Sequence, residues 1–344
     1  MVVRWKARFW AAGWGFLAGI PLLLMVGLFY EQHGERQDRA RYPRIGSAVN
    51  IGGRTLNLYC SGEGSPTVIF DSAGHTAGYS WINIQREVAR FTHACWYDRA
   101  GYGWSDPGPS PRTFAAIASD LHSLAHAAGL TPPYVLVGVT AATFHVRVYN
   151  ALYPQDVAGA VLIHASDWDI FAHEPSFMEG SLGHLPNWLK DVGCRTVWPG
   201  MVRIGMVRLM HNPGAGRPFG LQFLNRAQQQ ELIFLSNNPS TARTEGEGCT
   251  LQGSMAEVRA AGNFGTRPLV VLVGNEPFRS PAPQFDNQIR ALNDFWFGQL
   301  QPRLADLSTG GRLEMNAHAE EPSSIIAAIR QVVTSVREQH HHKE

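Results

Sequence analysis

The residues that most constrain this chain are Tyr134-Val135-Leu136-Val137, then Gly138-Val139-Thr140-Ala141-Ala142, then Phe144-His145-Val146-Arg147-Val148-Tyr149. The apolar run suits a strand buried on both faces. The segment after it reads as a helix, and only a sharp turn separates the two. The same rhythm recurs along the chain. Residues 67–70, 94–97, 160–163 and 269–273 are short apolar runs of the same kind, with helix-like segments between them. One such helix is well defined: Phe114, Ile117, Leu121 and Leu124 share a face, and Gly129 ends it. This alternation predicts an open α/β sheet with helices on both faces. With 344 residues, 44% hydrophobic and 17% charged, the chain can bury one large core plus an insertion.

Strand, sharp turn and helix are the setting of a nucleophile elbow, whose usual pattern is G-x-S-x-G. Here Thr140 stands at the nucleophile position and Ala142 at the second glycine. A hydroxyl remains, but a β-branched side chain fits poorly where the backbone needs a positive φ. The extra methyl also crowds the approach to a carbonyl. Threonine nucleophiles rely on a free N-terminal amine, which a mid-chain residue lacks. The expectation is a packed Thr140 on a relaxed elbow.

The text around this turn resembles the α/β-hydrolase superfamily, and within it the membrane-anchored bacterial members. The resemblance is carried by Gly53-Arg54-Thr55-Leu56-Asn57-Leu58-Tyr59-Cys60, Pro66-Thr67-Val68-Ile69-Phe70-Asp71-Ser72 and, most specifically, Tyr97-Asp98-Arg99-Ala100-Gly101-Tyr102-Gly103-Trp104-Ser105-Asp106. Tyr153-Pro154, the run 157–163, Pro268-Leu269-Val270-Val271-Leu272 and a closing helix from Pro322 complete it. It implies an α/β-hydrolase fold: a mostly parallel sheet flanked by helices, with core segments over 47–166 and 263–338 and a helical cap inserted over 167–262.

The resemblance also implies roles. An oxyanion hole would use the backbone N–H of Ala141 and one from the loop 71–78, where Gly74 holds the donor position and His75 and Thr76 replace smaller residues. His318, shortly before Pro322, is the candidate base, although the family's histidine stands further ahead of that proline, at Met315. The acid would follow the run 269–273, where Glu276 is offered and the family spacing points to Pro277; Asp167 and Asp169 are the alternative. Departures at several positions are what relaxed catalytic demand produces, so Thr140, His318 and Glu276 are expected as a vestigial triad. By contrast Asp98, Arg99, Gly101, Gly103 and Trp104 match well and imply turn glycines with a buried polar network. In the family's strand order the second and fourth strands are neighbours, which brings Cys60 and Cys95 together. Cys194 and Cys249 both lie in the cap. Sequence alone allows three connectivities.

Residues 9–30 carry no charge, and as a helix these 22 residues span about 33 Å, enough to cross a bilayer. The run ends Leu28-Phe29-Tyr30-Glu31, without a small-residue cleavage site, which predicts an uncleaved single-pass transmembrane anchor. Residues 1–8 would then be cytoplasmic and the arginine-rich stretch 31–46 a juxtamembrane linker. Ala11, Gly15 and Gly19 recur at spacings of four, a face that permits close helix contact, although such residues are common in membrane helices. Arginines flank both ends, so the positive-inside rule votes weakly. The resemblance and the even cysteine count favour the inner (plasma) membrane with the globular part periplasmic.

The balance of 29 basic and 28 acidic residues gives no footprint for nucleic acid. The four separated cysteines give no zinc framework, and no metal or cofactor is expected. His340-His341-His342 belong to an expected disordered tail over 339–344. The functional expectation is a catalytically degenerate accessory or structural subunit with an integral membrane partner. The alternatives are an active hydrolase of esters, amides or epoxides, and a non-hydrolytic receptor for an apolar small molecule in the cap pocket.

Overall fold

A computed structural model describes residues 2–72, 74, 76–173, 175, 186–209, 220–236 and 247–341, with side chains described from Gly19 onward apart from a few positions. Eight strands form one sheet: β1 (Ser47–Asn50), β2 (Thr55–Ser61), β3 (Thr67–Asp71), β4 (Ala94–Tyr97), β5 (Tyr134–Val139), β6 (Val157–Ile163), β7 (Leu269–Val273) and β8 (Gly311–Met315). Their order is β1-β2-β4-β3-β5-β6-β7-β8. β2 runs antiparallel to β1 and β4, and every pairing from β4 to β8 is parallel.

Strand periodicity sends alternate residues to two cores. Along β5, Tyr134 and Leu136 join one cluster, while Val135, Val137 and Val139 join the other. α3 (Phe114–Ala127) and α4 (Ala142–Leu152) cover the first face, and α2 (Ile82–Val88) packs on the second. α3 starts as its sequence demands, with Thr113 Oγ1 accepting from the Ala116 N–H at 3.2 Å. The cap contributes α5 (Asn187–Val192), α6 (Trp198–Arg203), α7 (Met206–Leu209), α8 (Arg226–Ser236) and α9 (Glu247–Ala260); α10 (Asp286–Phe295), α11 (Gln301–Ala305) and α12 (Pro322–His341) complete the helices used below. Cys60 faces Cys95 in the β2–β4 register and is bonded to it, and Cys194 is bonded to Cys249 across the cap.

At the N-terminus, α1 runs from Val2 to Arg41, so the expected linker is helical over its first eleven positions, 31–41. Among the described residues no helix is long and apolar enough to cross a membrane. The side chains of residues 9–18, the first part of the expected anchor, lie outside the described ones, as do those of Ala11 and Gly15. A Cβ on Gly19 would meet nothing within 4 Å, so none of the described residues packs against that point. α12 continues to His341, which makes the start of the expected disordered tail helical, while residues 342–344 lie outside the described ones.

Candidate functional site

The carboxyl ends of β3, β5, β6, β7 and β8 lie side by side, and the loops leaving them carry the candidate residues. Thr140 follows β5 with φ +48°. Its N–H donates to the Ile163 carbonyl at 2.9 Å, and its own carbonyl accepts from Thr143 N at 3.1 Å and Thr143 Oγ1 at 2.6 Å. The elbow is therefore not relaxed. Its strand and helix cross so tightly that a Cβ on Gly138 would come 2.8 Å from the Ala142 carbonyl oxygen. That crossing forces the left-handed turn in spite of the threonine branch. Ala142 itself is buried as the first residue of α4. Among the described residues, no hydrogen-bond partner reaches the Thr140 hydroxyl.

The loop after β3 is held from below. The Arg99 guanidinium donates to the Ser72 carbonyl and, at 2.5 Å, to the Gly74 carbonyl, and lies 3.4 Å from Asp71 Oδ1. Gly74 has φ +54°, and His75 lies outside the described residues. Asp71 Oδ2 is 2.9 Å from His145 Nδ1 on α4, with both side chains buried. At the far end of the loop, Gly78 N donates to Asp98 Oδ1 at 2.8 Å, while Asn57 Nδ2 and Trp104 N reach Asp98 Oδ2 at 3.0 and 3.1 Å. Burial pushes the Asp98 carboxyl up to about 6, opposed by these donors. The network expected to hold the loop after β4 thus also positions the loop after β3.

Among the described residues no hydrogen bond joins Thr140, His318 and Glu276. His318 is 71% exposed, and its Nδ1 lies 2.7 Å from Glu321 Oε1. Glu276 is exposed, and Met315, at the family's histidine position, is 45% exposed at the end of β8. Asp167 is engaged by Arg147 at 2.9 Å and Arg303 at 3.3 Å, and Asp169 by Arg303 at 2.8 Å. Neither alternative acid serves His318.

His164 is the residue that sequence reading passed over. It directly follows Ile163, whose carbonyl binds Thr140, and its own N–H donates to the Leu272 carbonyl at 2.8 Å. Its φ is +50°, so Thr140 and His164 are the two non-glycine residues with positive φ among the described residues. Its Nδ1 lies 3.2 Å from Glu320 Oε1, an ion-pair distance without hydrogen-bond alignment, and its ring is 5.4 Å from that of Trp296. Burial lowers its pKa below the ordinary histidine value, although Glu320 pulls the other way. Strained non-glycine residues gather at functional sites. No sequence pattern marks this histidine; only the register beside Thr140 does.

A sheet in this order, one antiparallel strand at β2, a strained turn after β5 and a helical insertion after β6 together specify the architecture, and the profile of the family described as alpha/beta hydrolase fold matches residues 66–188. The chain is an α/β-hydrolase-fold protein. Among solved structures, the fold is similar to a haloalkane dehalogenase DbeA loop variant from Bradyrhizobium elkanii, with a TM-score of 0.55 and 18% identity, covering 87% of this chain and 99% of that one. It is likewise similar to a thermophilic esterase from Thermogutta terrifontis, with a TM-score of 0.53 and 18% identity over 85% of this chain and 98% of that one. At these identities the likeness concerns the fold alone. Among curated relatives, "Uncharacterized protein YbdG" of Bacillus subtilis is 24% identical over 148 residues, 42% of this chain and 46% of the relative. An "Uncharacterized vacuolar membrane protein" of Saccharomyces cerevisiae is 30% identical over 104 residues, 29% of this chain and 16% of the relative. The chain spans less than half the length of these relatives.

Proposed function

We propose that this α/β-hydrolase-fold protein is catalytically degenerate, is held at the inner (plasma) membrane by α1 with its globular part periplasmic, and acts as an accessory or structural subunit with an integral membrane partner. The observation that carries the first part is His318. A general base must lie within hydrogen-bond reach of the proton it takes. His318 instead turns into solvent against Glu321, and among the described residues no acid that follows β6 or β7 pairs with it. The membrane part is supported by residues 20–30 of α1, where Ile20, Leu23, Val26 and Phe29 are all exposed. Large apolar side chains in that number on one helix mark a contact surface. Two disulfides fit an oxidising compartment.

A fluorophosphonate probe and an ester panel test the degenerate reading. No labelling or turnover is expected from the wild type, and none from Thr140→Ser, because the missing base would still be missing. Labelling that disappears in Thr140→Ala would overturn it. One observation favours a second reading, an active hydrolase: Thr140 and His164 keep strained backbones side by side. On that reading, probe labelling would be lost in His164→Gln and retained in His318→Gln.

A further inference from the structure

Large apolar side chains facing solvent are concentrated, among the described residues, in two places. Among the described residues, all but Leu152 and Met315 lie either on residues 20–30 of α1 or on residues 188–209 of the cap. On the cap they include Trp188 (65% exposed), Val192, Val197, Trp198, Met206 and Leu209 (62% exposed).

The two stretches are locked together. A Cβ on Gly27 of α1 would come 2.5 Å from the Ile204 carbonyl oxygen, and one on Gly205 would meet the Tyr30 ring at 2.7 Å. The helix and the turn between α6 and α7 therefore touch nearly backbone to backbone. Just beyond, Arg208 Nε and Nη2 each donate to Glu31 at 3.0 Å, and Nη1 donates to Asp38 at 2.7 Å. Glu31 is the first charge after the uncharged run, and this pairing leaves it only 5% exposed. Gly27 lies about 6 Å along the helix axis from Glu31, at the level where the apolar stretch ends.

From this geometry we infer that the cap segment 188–209 rests on the lipid bilayer, with its apolar side chains immersed at the headgroup and upper acyl level. The inference rests on the reading of α1 as the membrane anchor. An α1 standing in a bilayer carries the cap's apolar face to the membrane surface, because Gly27, Gly205 and Arg208 fix the two together. Two exposed tryptophans suit that depth. Arg203 on the same stretch is an exposed cation, which suits anionic phospholipid headgroups.

The test uses the full chain reconstituted in phosphatidylcholine–phosphatidylglycerol vesicles containing a phospholipid with a diazirine near its acyl carbonyl. After photolysis, peptides are mapped by mass spectrometry. The expected result is lipid adducts on both 20–30 and 186–209. In Trp188→Glu/Trp198→Glu the cap adducts should fall several-fold, with α1 adducts unchanged and the Cys194–Cys249 disulfide intact. Adducts on α1 with none on the cap would overturn the inference, keep the anchor reading, and leave the cap face for a protein partner. Adducts on neither would remove the anchor reading and the inference with it. The wild-type map alone decides between these results if the double variant fails to fold.

Discussion

Asp98 supplies a sharp test of how the loop after β3 is held. The carboxylate is fully buried and accepts from Gly78 N, Asn57 Nδ2 and Trp104 N. Asp98→Ala leaves three buried donors without an acceptor, each costing about 1–3 kcal/mol. Part of that is offset because a buried charge no longer has to be desolvated, so a net loss of about 3–5 kcal/mol is expected. A domain holds only about 5–15 kcal/mol in total. Asp98→Asn keeps the shape but turns one oxygen into a donor, so at least one N–H faces another, at about 1–3 kcal/mol. The two states also differ with pH. The folded carboxyl titrates at about 6 against an ordinary 3.8, so the folded state takes up its proton first as pH falls. Wild-type stability from this group is greatest below the unfolded value and declines by ~3 kcal/mol as pH rises through the folded one. Asparagine cannot follow that change. The deficit of Asp98→Asn against wild type should therefore be larger at pH 4 than at pH 7 by about that amount. Urea unfolding of the detergent-solubilised chain at both pH values measures it. A deficit independent of pH, or an Asp98→Ala loss under about 1 kcal/mol, would refute the reasoning.

Three further outcomes follow from the same structure. Thr140→Gly removes a left-handed penalty of about 1–2 kcal/mol, and glycine's chain entropy returns about 0.5–1 kcal/mol. Its melting temperature should match or exceed wild type by up to about 4 °C in a calorimetric scan, whereas Thr140→Val should not gain. Arg208→Met strands Glu31 and Asp38 and should loosen the cap from α1 by about 1–3 kcal/mol, read as faster limited proteolysis within residues 186–209. Burial depresses the pKa of His164, so its contribution to stability is present above the unfolded value of 6.5 and is lost as pH falls through the lower folded value. His164→Gln should flatten the acid side of a melting-temperature profile.

Much of the sheet was legible because β3, β4, β5, β6 and β7 are short runs buried on both faces, and such runs leave a plain apolar signature. β8 was not, because Arg312 and Glu314 interrupt it and its residues are only partly buried at the sheet edge. The extension of α1 to Arg41 has no apolar periodicity to announce it; Arg208, far along the chain, clamps it. At the elbow, local propensity argued for a relaxed Thr140, and the tertiary crossing of Gly138 with Ala142 prevailed. His318 was visible as a histidine before a helix, but its rotation toward Glu321 depends on a short loop whose course no residue pattern encodes. The standing of His164 arises from register alone, since only pairing of β5 with β6 sets it beside Thr140. The Asp98 network was legible as a local turn; its reach to Gly78 and, through Arg99, to Gly74 belongs to the folded chain.

The most direct test of the central claim is to extract the protein from its native membrane in mild detergent, size the particle and identify its components by mass spectrometry. The account predicts a stoichiometric integral-membrane companion that co-migrates with this chain. A solitary monomer, or a chain found only in the soluble fraction, would contradict it.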